Sequence, residues 1–179
     1  GIATLDAVKA GRSVMLPRFD KRADEPLSSR DWPLLEGPCD LLMFEGWCVG
    51  AKPVPHDLLA QPVNDLERDD DADGIWRDHW NTHLADETAD LFARIDRLTY
   101  LRPPSFEIVH KWRCEQEHGY QAQDGAQRAA AAMTDEQVAR FIAHYERLTR
   151  WIMEEMPGRA DVTIQLDEAR SPNSVSVRA

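Results

Sequence analysis

Leu41-Leu42-Met43-Phe44-Glu45-Gly46-Trp47-Cys48-Val49-Gly50 is the stretch that decides the fold class. Four apolar residues run unbroken between Asp40 and Glu45. An alternating strand keeps one face in water, whereas an unbroken apolar one is covered on both faces, as in parallel sheets. The run predicts a buried parallel strand over 41–44. Glu45 and Gly46 then fall at its carboxyl end, the edge where open α/β sheets bind ligands. A carboxylate there can hold a magnesium-bound water or position a substrate hydroxyl. The plainer reading makes Glu45 a turn cap and Gly46 the residue that permits the turn.

Outward from this stretch the chain alternates short apolar runs with helical patterns. Thr4 to Ala10 reads as a short helix that Gly11 can end, and Ser13 to Leu16 as a short strand stopped by Pro17. Residues 18–38, with Pro26, Pro33 and Pro38, read as a long connection. The acidic run from Asp65 to Asp73 reads as a solvated face. Trp76, Trp80, Leu84, Leu91 and Ile95 recur at helical steps and predict one helix over 75–95. Leu98 to Leu101 is a strand candidate, and Pro103-Pro104-Ser105 opens a helix to about Glu117. Residues 119–133 read as a flexible link.

Thr134 and Gln137 form a capping-box pattern, and the apolar stripe behind it predicts one long helix to Met156, ended by Pro157-Gly158. Val162, Ile164 and Leu166 alternate in a final strand, and the tail after Arg170 is expected to fray. Strands separated by long helical stretches give an α/β fold with a mainly parallel sheet.

The 179 residues suggest one domain. Scaling predicts roughly 8,800 Å² of folded surface against roughly 29,600 Å² unfolded, so about 70% is available for burial. A net charge of −11 argues against a general nucleic-acid binder, while leaving room for a local basic pocket. No apolar run reaches the roughly 18 residues of a membrane helix. The odd count of three cysteines, Cys39, Cys48 and Cys114, reads as reduced thiols in a cytoplasmic protein.

Arg18, Asp20, Lys21 and Arg22 follow a predicted strand, and clustered Arg and Lys suit a phosphate or carboxylate ligand. The alternative is an exposed loop of mixed charge. Arg113 lies on the predicted helix beside Trp112, where a rigid element can aim it at a ligand; its alternative is an i,i+4 pair with Glu117. His79 and His83 are four apart, but the intervening Trp80, Asn81 and Thr82 lack the glutamate of a zinc-protease motif. Cys48 reads as a packed thiol. No G-x-x-x-x-G-K-[ST] occurs in the sequence.

Taken in order, LPRFDK, FEGWCVGA, PVNDLE, IWRDHWN, LFARIDRL, VHKWRCEQE, MTDEQVARFIAHYERLTRWIMEEMP and ADVTIQLD resemble the C-terminal part of the ATP-dependent D-glycerate 3-kinase family. These are P-loop small-molecule kinases similar in build to uridine kinase and phosphoribulokinase. The resemblance spans about Thr4 to Asp167. It implies a P-loop NTPase-like parallel sheet flanked by helices and incomplete at the N-terminus. The family's Walker A strand and loop, and its second strand with an Asp-Asp motif, have no counterpart here. The chain, opening at Gly1 without Met, is expected to be a single domain, residues 1–179, that forms the back part of a kinase.

The resemblance also implies ATP and magnesium as cofactors of the complete protein and a small-molecule substrate, with no nucleic-acid or membrane partner and the oligomeric state open. Glu45 looks like the acidic end of the third strand, facing magnesium, directly or through water, or substrate. Arg18, Asp20 and Lys21 look like substrate-side residues, and Arg113 like a lid arginine on the phosphates. The expected reaction is phosphorylation of a hydroxyl of D-glycerate, with the chain alone inactive. Two alternatives stand beside it: a non-catalytic remnant or interaction domain, and a P-loop kinase for a nucleoside or pantothenate-like alcohol.

Overall fold

A computed structural model describes residues 1–20, 23–123 and 133–178. Its centre is a three-stranded sheet of β5 (Thr99–Arg102), β6 (Val162–Leu166) and β7 (Pro172–Val177), in that spatial order. The β5–β6 pair is parallel, with Tyr100 opposite Thr163, and β6–β7 is antiparallel, with Ile164 opposite Val175. The sheet is therefore mixed, α/β with flanking helices, rather than mainly parallel. The tail expected to fray supplies β7: its backbone completes the β6 ladder even though Val175 and Val177 stay exposed.

Helices fill the β5-to-β6 crossover. Among the described residues they are α5 (Phe106–Gln123), α6 (Asp135–Ala143) and α7 (Glu146–Glu155). The α5 helix continues beyond Glu117, so residues 119–123 of the expected link are helical; 124–132 lie outside the described residues. Both halves of the capping box form: Gln137 N donates to Thr134 Oγ1 and Thr134 N to Gln137 Oε1. The expected single helix over 134–156 is broken at His144-Tyr145 into α6 and α7; α6 carries Val138 and Ile142 into one core, and α7 with the 3-10 turn after it carries Leu148, Ile152 and Met156 into another. The larger core joins the last three to Ala51, Leu84, Tyr100 and Ala160.

Before the sheet lie α1 (Ile2–Lys9), α2 (Asp65–Asp70), α3 (Ile75–Ala85) and α4 (Glu87–Phe92). The expected helix over 75–95 breaks at Asp86, and Trp76 faces solvent at 69% exposure instead of the core. It stacks edge-on against His79, which stacks on His83. Ion pairs Asp6–Arg94 and Lys9–Asp96 dock α1 onto the end of α4. Residues 18–38 are not a plain connection. They hold β2 (Phe19–Asp20) paired with β3 (Glu25–Pro26), and β4 (Leu34–Leu35) paired with β1 (Val14–Met15), both antiparallel.

The acidic run is only partly a solvated face. Glu67 pairs with Arg147 at 2.5 Å and Asp71 with Arg77 at 3.1 Å, and both arginines are buried. Arg147 also donates to the carbonyls of Leu58 and Gln61, and Arg77 to that of Leu59. The proline-rich segment is thus nailed to α3 and α7 by two guanidiniums.

The largest departure is at residues 41–44. They form no strand, and Leu41 and Met43 are 77% and 83% exposed. An extended apolar run becomes a strand only when a neighbouring backbone completes its ladder. Among the described residues no strand pairs with this segment.

Candidate active site

The turn after Glu45 is the best-anchored part of that segment. Gly46 O accepts from Val49 N and Cys48 O from Ala51 N, so two turns follow each other. Gly50 takes φ +77°, and a Cβ there would stand 3.0 Å from Leu98 Cδ1 at the foot of β5. Only glycine meets both demands without displacement. Arg159 Nη2 donates to Gly50 O at 2.5 Å, and Ala51 enters the core beside Tyr100. Glu45 itself is exposed, with no hydrogen bond or ion pair among the described residues. Cys48 packs against the core, where burial pushes its thiol pKa up and keeps it protonated.

From this turn a line of rings leads to Arg113. Trp47 meets Tyr145 edge-on at 4.6 Å, and its Nε1 donates to Thr149 Oγ1 at 3.0 Å. Tyr145 meets Phe141 at 4.9 Å, and the Arg113 guanidinium lies 5.6 Å from the Phe141 ring centre. The structure therefore joins the Glu45 turn to Arg113 through Trp47, Tyr145 and Phe141. Phe141 and Tyr145, four apart, fall within the apolar stripe that predicts the helix over 134–156, which hides this connection in the sequence. Their aromatic spacing beside a Gly-Trp turn was the available signal.

Arg113 makes the i,i+4 pair that was its alternative reading: Nη2 lies 2.5 Å from Glu117 Oε1, and Nη1 donates to Gln116 Oε1 at 2.7 Å. Glu117 is buried and also accepts from Met133 N, tying α5 to the start of α6. The pair aims the guanidinium without burying it. Arg113 also lines a groove of about 510 Å³ along α5 with Val109, Trp112, Glu115, Gln116 and Arg170.

Arg18 and Asp20 stand apart from this line, on the β2–β3 hairpin, which shares no sheet with the other strands. Asp20 Oδ1 accepts from Ala23 N, and Arg18 is exposed. Lys21 lies outside the described residues. No group of three or more His, Cys, Asp or Glu that could hold a metal stands together among the described residues. Magnesium commonly takes only one or two carboxylates, with phosphate oxygens and water completing its shell. Glu45 can supply one such carboxylate.

Comparison with known proteins bears on this geometry. D-glycerate 3-kinase, chloroplastic, of Arabidopsis thaliana is 29% identical over 96% of this chain, which spans 38% of that protein. The chain is homologous to D-glycerate 3-kinase. An uncharacterized kinase, mug58, of Schizosaccharomyces pombe is 31% identical over 58% of the chain and 35% of its own length.

The fold agrees with the sequence relationship. A D-glycerate 3-kinase from Cryptococcus neoformans superposes with a TM-score of 0.73 at 22% identity, covering 99% of this chain and 64% of that one. The YGR205w protein superposes with a TM-score of 0.60 at 24% identity, covering 99% of this chain and 62% of that one. No family model matches the chain. The chain thus spans well under half the length of the curated relatives and less than two thirds of the solved structures. No helix among the described residues is long and apolar enough to cross a membrane.

Proposed function

We propose that this chain is the substrate- and lid-bearing part of an ATP-dependent small-molecule kinase that phosphorylates a hydroxyl of D-glycerate. The observation that carries the reading is the similarity to D-glycerate 3-kinase over 96% of the chain. The aromatic line supports it, because it ties the Glu45 turn to Arg113. In this reading residues 1–179 are one domain, working in the cytoplasm, where its thiols stay reduced.

Mg-ATP, when bound, supplies the phosphoryl group and the metal charge. The work of this chain is positioning and charge stabilisation, which dominate phosphoryl transfer. Glu45, unpaired at the turn, offers its carboxylate to the metal's water shell or the substrate hydroxyl. Arg113, a planar fork already paired with Glu117 and Gln116, would offer its positive charge to the phosphates. Arg18, Asp20 and Lys21 would take the substrate carboxylate and hydroxyls, which requires the β2–β3 hairpin to share one ligand with the Glu45 turn. The overall negative charge does not oppose this, since distant exposed carboxylates are screened.

Residues 1–179 alone are expected to show no ATP-dependent phosphorylation of D-glycerate, since the sequence has no Walker A lysine. The deciding experiment reads the nucleotides upstream of the Gly1 codon for an in-frame G-x-x-x-x-G-K-[ST]. It then assays the product of the whole frame for ADP release with D-glycerate, a nucleoside and pantothenate. Release with D-glycerate alone supports the proposal. Release with another alcohol reassigns the substrate, and a start codon directly before Gly1 with no turnover favours a non-catalytic interaction domain.

A further inference from the structure

Five residues, Asp167 to Ser171, turn β6 into β7. Asp167 N donates to Ser171 O at 2.9 Å and Arg170 N to Asp167 O at 3.1 Å, closing a three-residue loop of Glu168, Ala169 and Arg170. The last position of such a loop is left-handed and favours glycine. Arg170 occupies it with φ +64°. An arginine held where glycine fits best directs attention to what its side chain does.

That side chain reaches α5. Its guanidinium stacks 5.3 Å from the Trp112 ring centre, pairs with Glu115 Oε2 at 2.6 Å and donates to Trp112 O at 3.4 Å. Two more contacts run between the same elements: Trp112 Nε1 donates to Glu168 O at 2.8 Å, and Lys111 pairs with Glu168 at 3.6 Å. Every one involves the loop on one side and a single turn of α5, residues 111–115, on the other. The loop is otherwise self-sufficient, since Ser171 N donates to Asp167 Oδ1 at 2.8 Å and needs nothing from the helix.

We propose that Arg170 is a positioning residue, a strap by which the β6–β7 loop fixes the orientation of α5 and the outer wall of the groove along it. Arg113 lies within the strapped turn and on the same groove. The strap therefore sets where its guanidinium stands; this last consequence rests on the kinase reading, and the strap itself does not. Phe141 of α6 lies against Arg113 and Met133 N donates to Glu117, so α5 is held from the α6 side as well as from the loop.

Arg170→Gly separates the strap from a merely local role. Glycine suits the left-handed position, so the loop keeps its shape while the three contacts of the Arg170 side chain to α5 are lost and the two through Glu168 remain. Hydrogen exchange of the 179-residue chain reads both sides. The strap predicts that amides 109–117 exchange about tenfold faster in Arg170→Gly. The β6–β7 ladder amides exchange at the wild-type rate or slower. Arg170→Lys, which keeps the charge for Glu115 without the planar stack, falls between.

Unchanged exchange in α5 would overturn the proposal. Equal acceleration of the ladder and α5 would also overturn it, by making Arg170 a residue of hairpin stability. Neither result depends on turnover, so failure of the kinase reading leaves the strap standing, and failure of the strap leaves that reading intact.

Discussion

Arg113 serves two demands with one guanidinium. Its partner Glu117 is 8% exposed, so a substitution there reaches beyond any ligand. Arg113→Ala strips a buried carboxylate of its cation and is expected to cost about 2 kcal/mol, discounted for the half-open side of the pair. On the proposed function, Arg113→Lys in the product of the whole reading frame should restore the melting temperature but not turnover, because a point charge satisfies Glu117 and lacks the fork. Wild-type turnover in Arg113→Ala would leave Arg113 a structural partner only. Gly50 gives a cleaner residue-scale test. Gly50→Ala combines a positive φ with a Cβ 3.0 Å from Leu98, and is expected to destabilise by about 2 kcal/mol in denaturant titration. Local contacts of this kind were partly legible. Arg113 beside Trp112 and the pair with Glu117 follow from helical spacing, whereas the need for Gly50 arises from Leu98, far away in the chain.

Elements show the same division. The capping box was readable because Thr134 and Gln137 are three residues apart and need nothing else. The breaks at Asp86 and His144-Tyr145 were not, since an apolar period survives a kink that tertiary packing imposes. The acidic run concealed its structure because Glu67 and Asp71 find their cations through the fold: Arg147 is 80 residues from Glu67. Arg147→Met is therefore expected to cost about 3–5 kcal/mol, with much of the loss recovered in the Arg147→Met, Glu67→Gln double variant, which leaves no unpaired buried charge. Chemical denaturation of the four proteins of that cycle checks it. Asp161 pins β5 at its start: its Oδ2 accepts from Leu98 N at 2.8 Å and Oδ1 pairs with Arg97. The backbone N–H of Leu98, then Arg97, hold the carboxyl below its ordinary pKa. A depressed folded pKa contributes stability that is present above the unfolded value of about 4 and is lost as pH falls through the folded value. Melting followed from pH 5 to pH 2 should show this loss, and Asp161→Asn should be flatter over the same window.

At the scale of the whole molecule, surface is the telling quantity. The chain exposes 12364 Å², about 40% more than the roughly 8,800 Å² expected of a compact protein of this mass. Part of the excess is the apolar segment Leu41 to Phe44, exposed along its whole length. Another part is β5, an edge strand whose outer side has no partner among the described residues and whose Leu101 is exposed. The sequence stretch that pointed to a buried parallel strand thus pointed to an apolar segment that this chain leaves bare, because a strand needs a second backbone and sequence hydrophobicity supplies only one. Bare apolar segments and open strand edges are templates for association. Residues 1–179 are therefore expected to self-associate in sedimentation velocity and to melt below about 60 °C. Charge placed on the exposed run should act on association alone. Leu42→Lys with Met43→Lys is expected to return the chain to a monomer at an unchanged melting temperature, since neither side chain enters a core. A cooperative, monomeric transition above about 60 °C in the unsubstituted chain would show the segment to be covered in solution. A double-lysine variant that melts lower would place Leu42 and Met43 inside that cover.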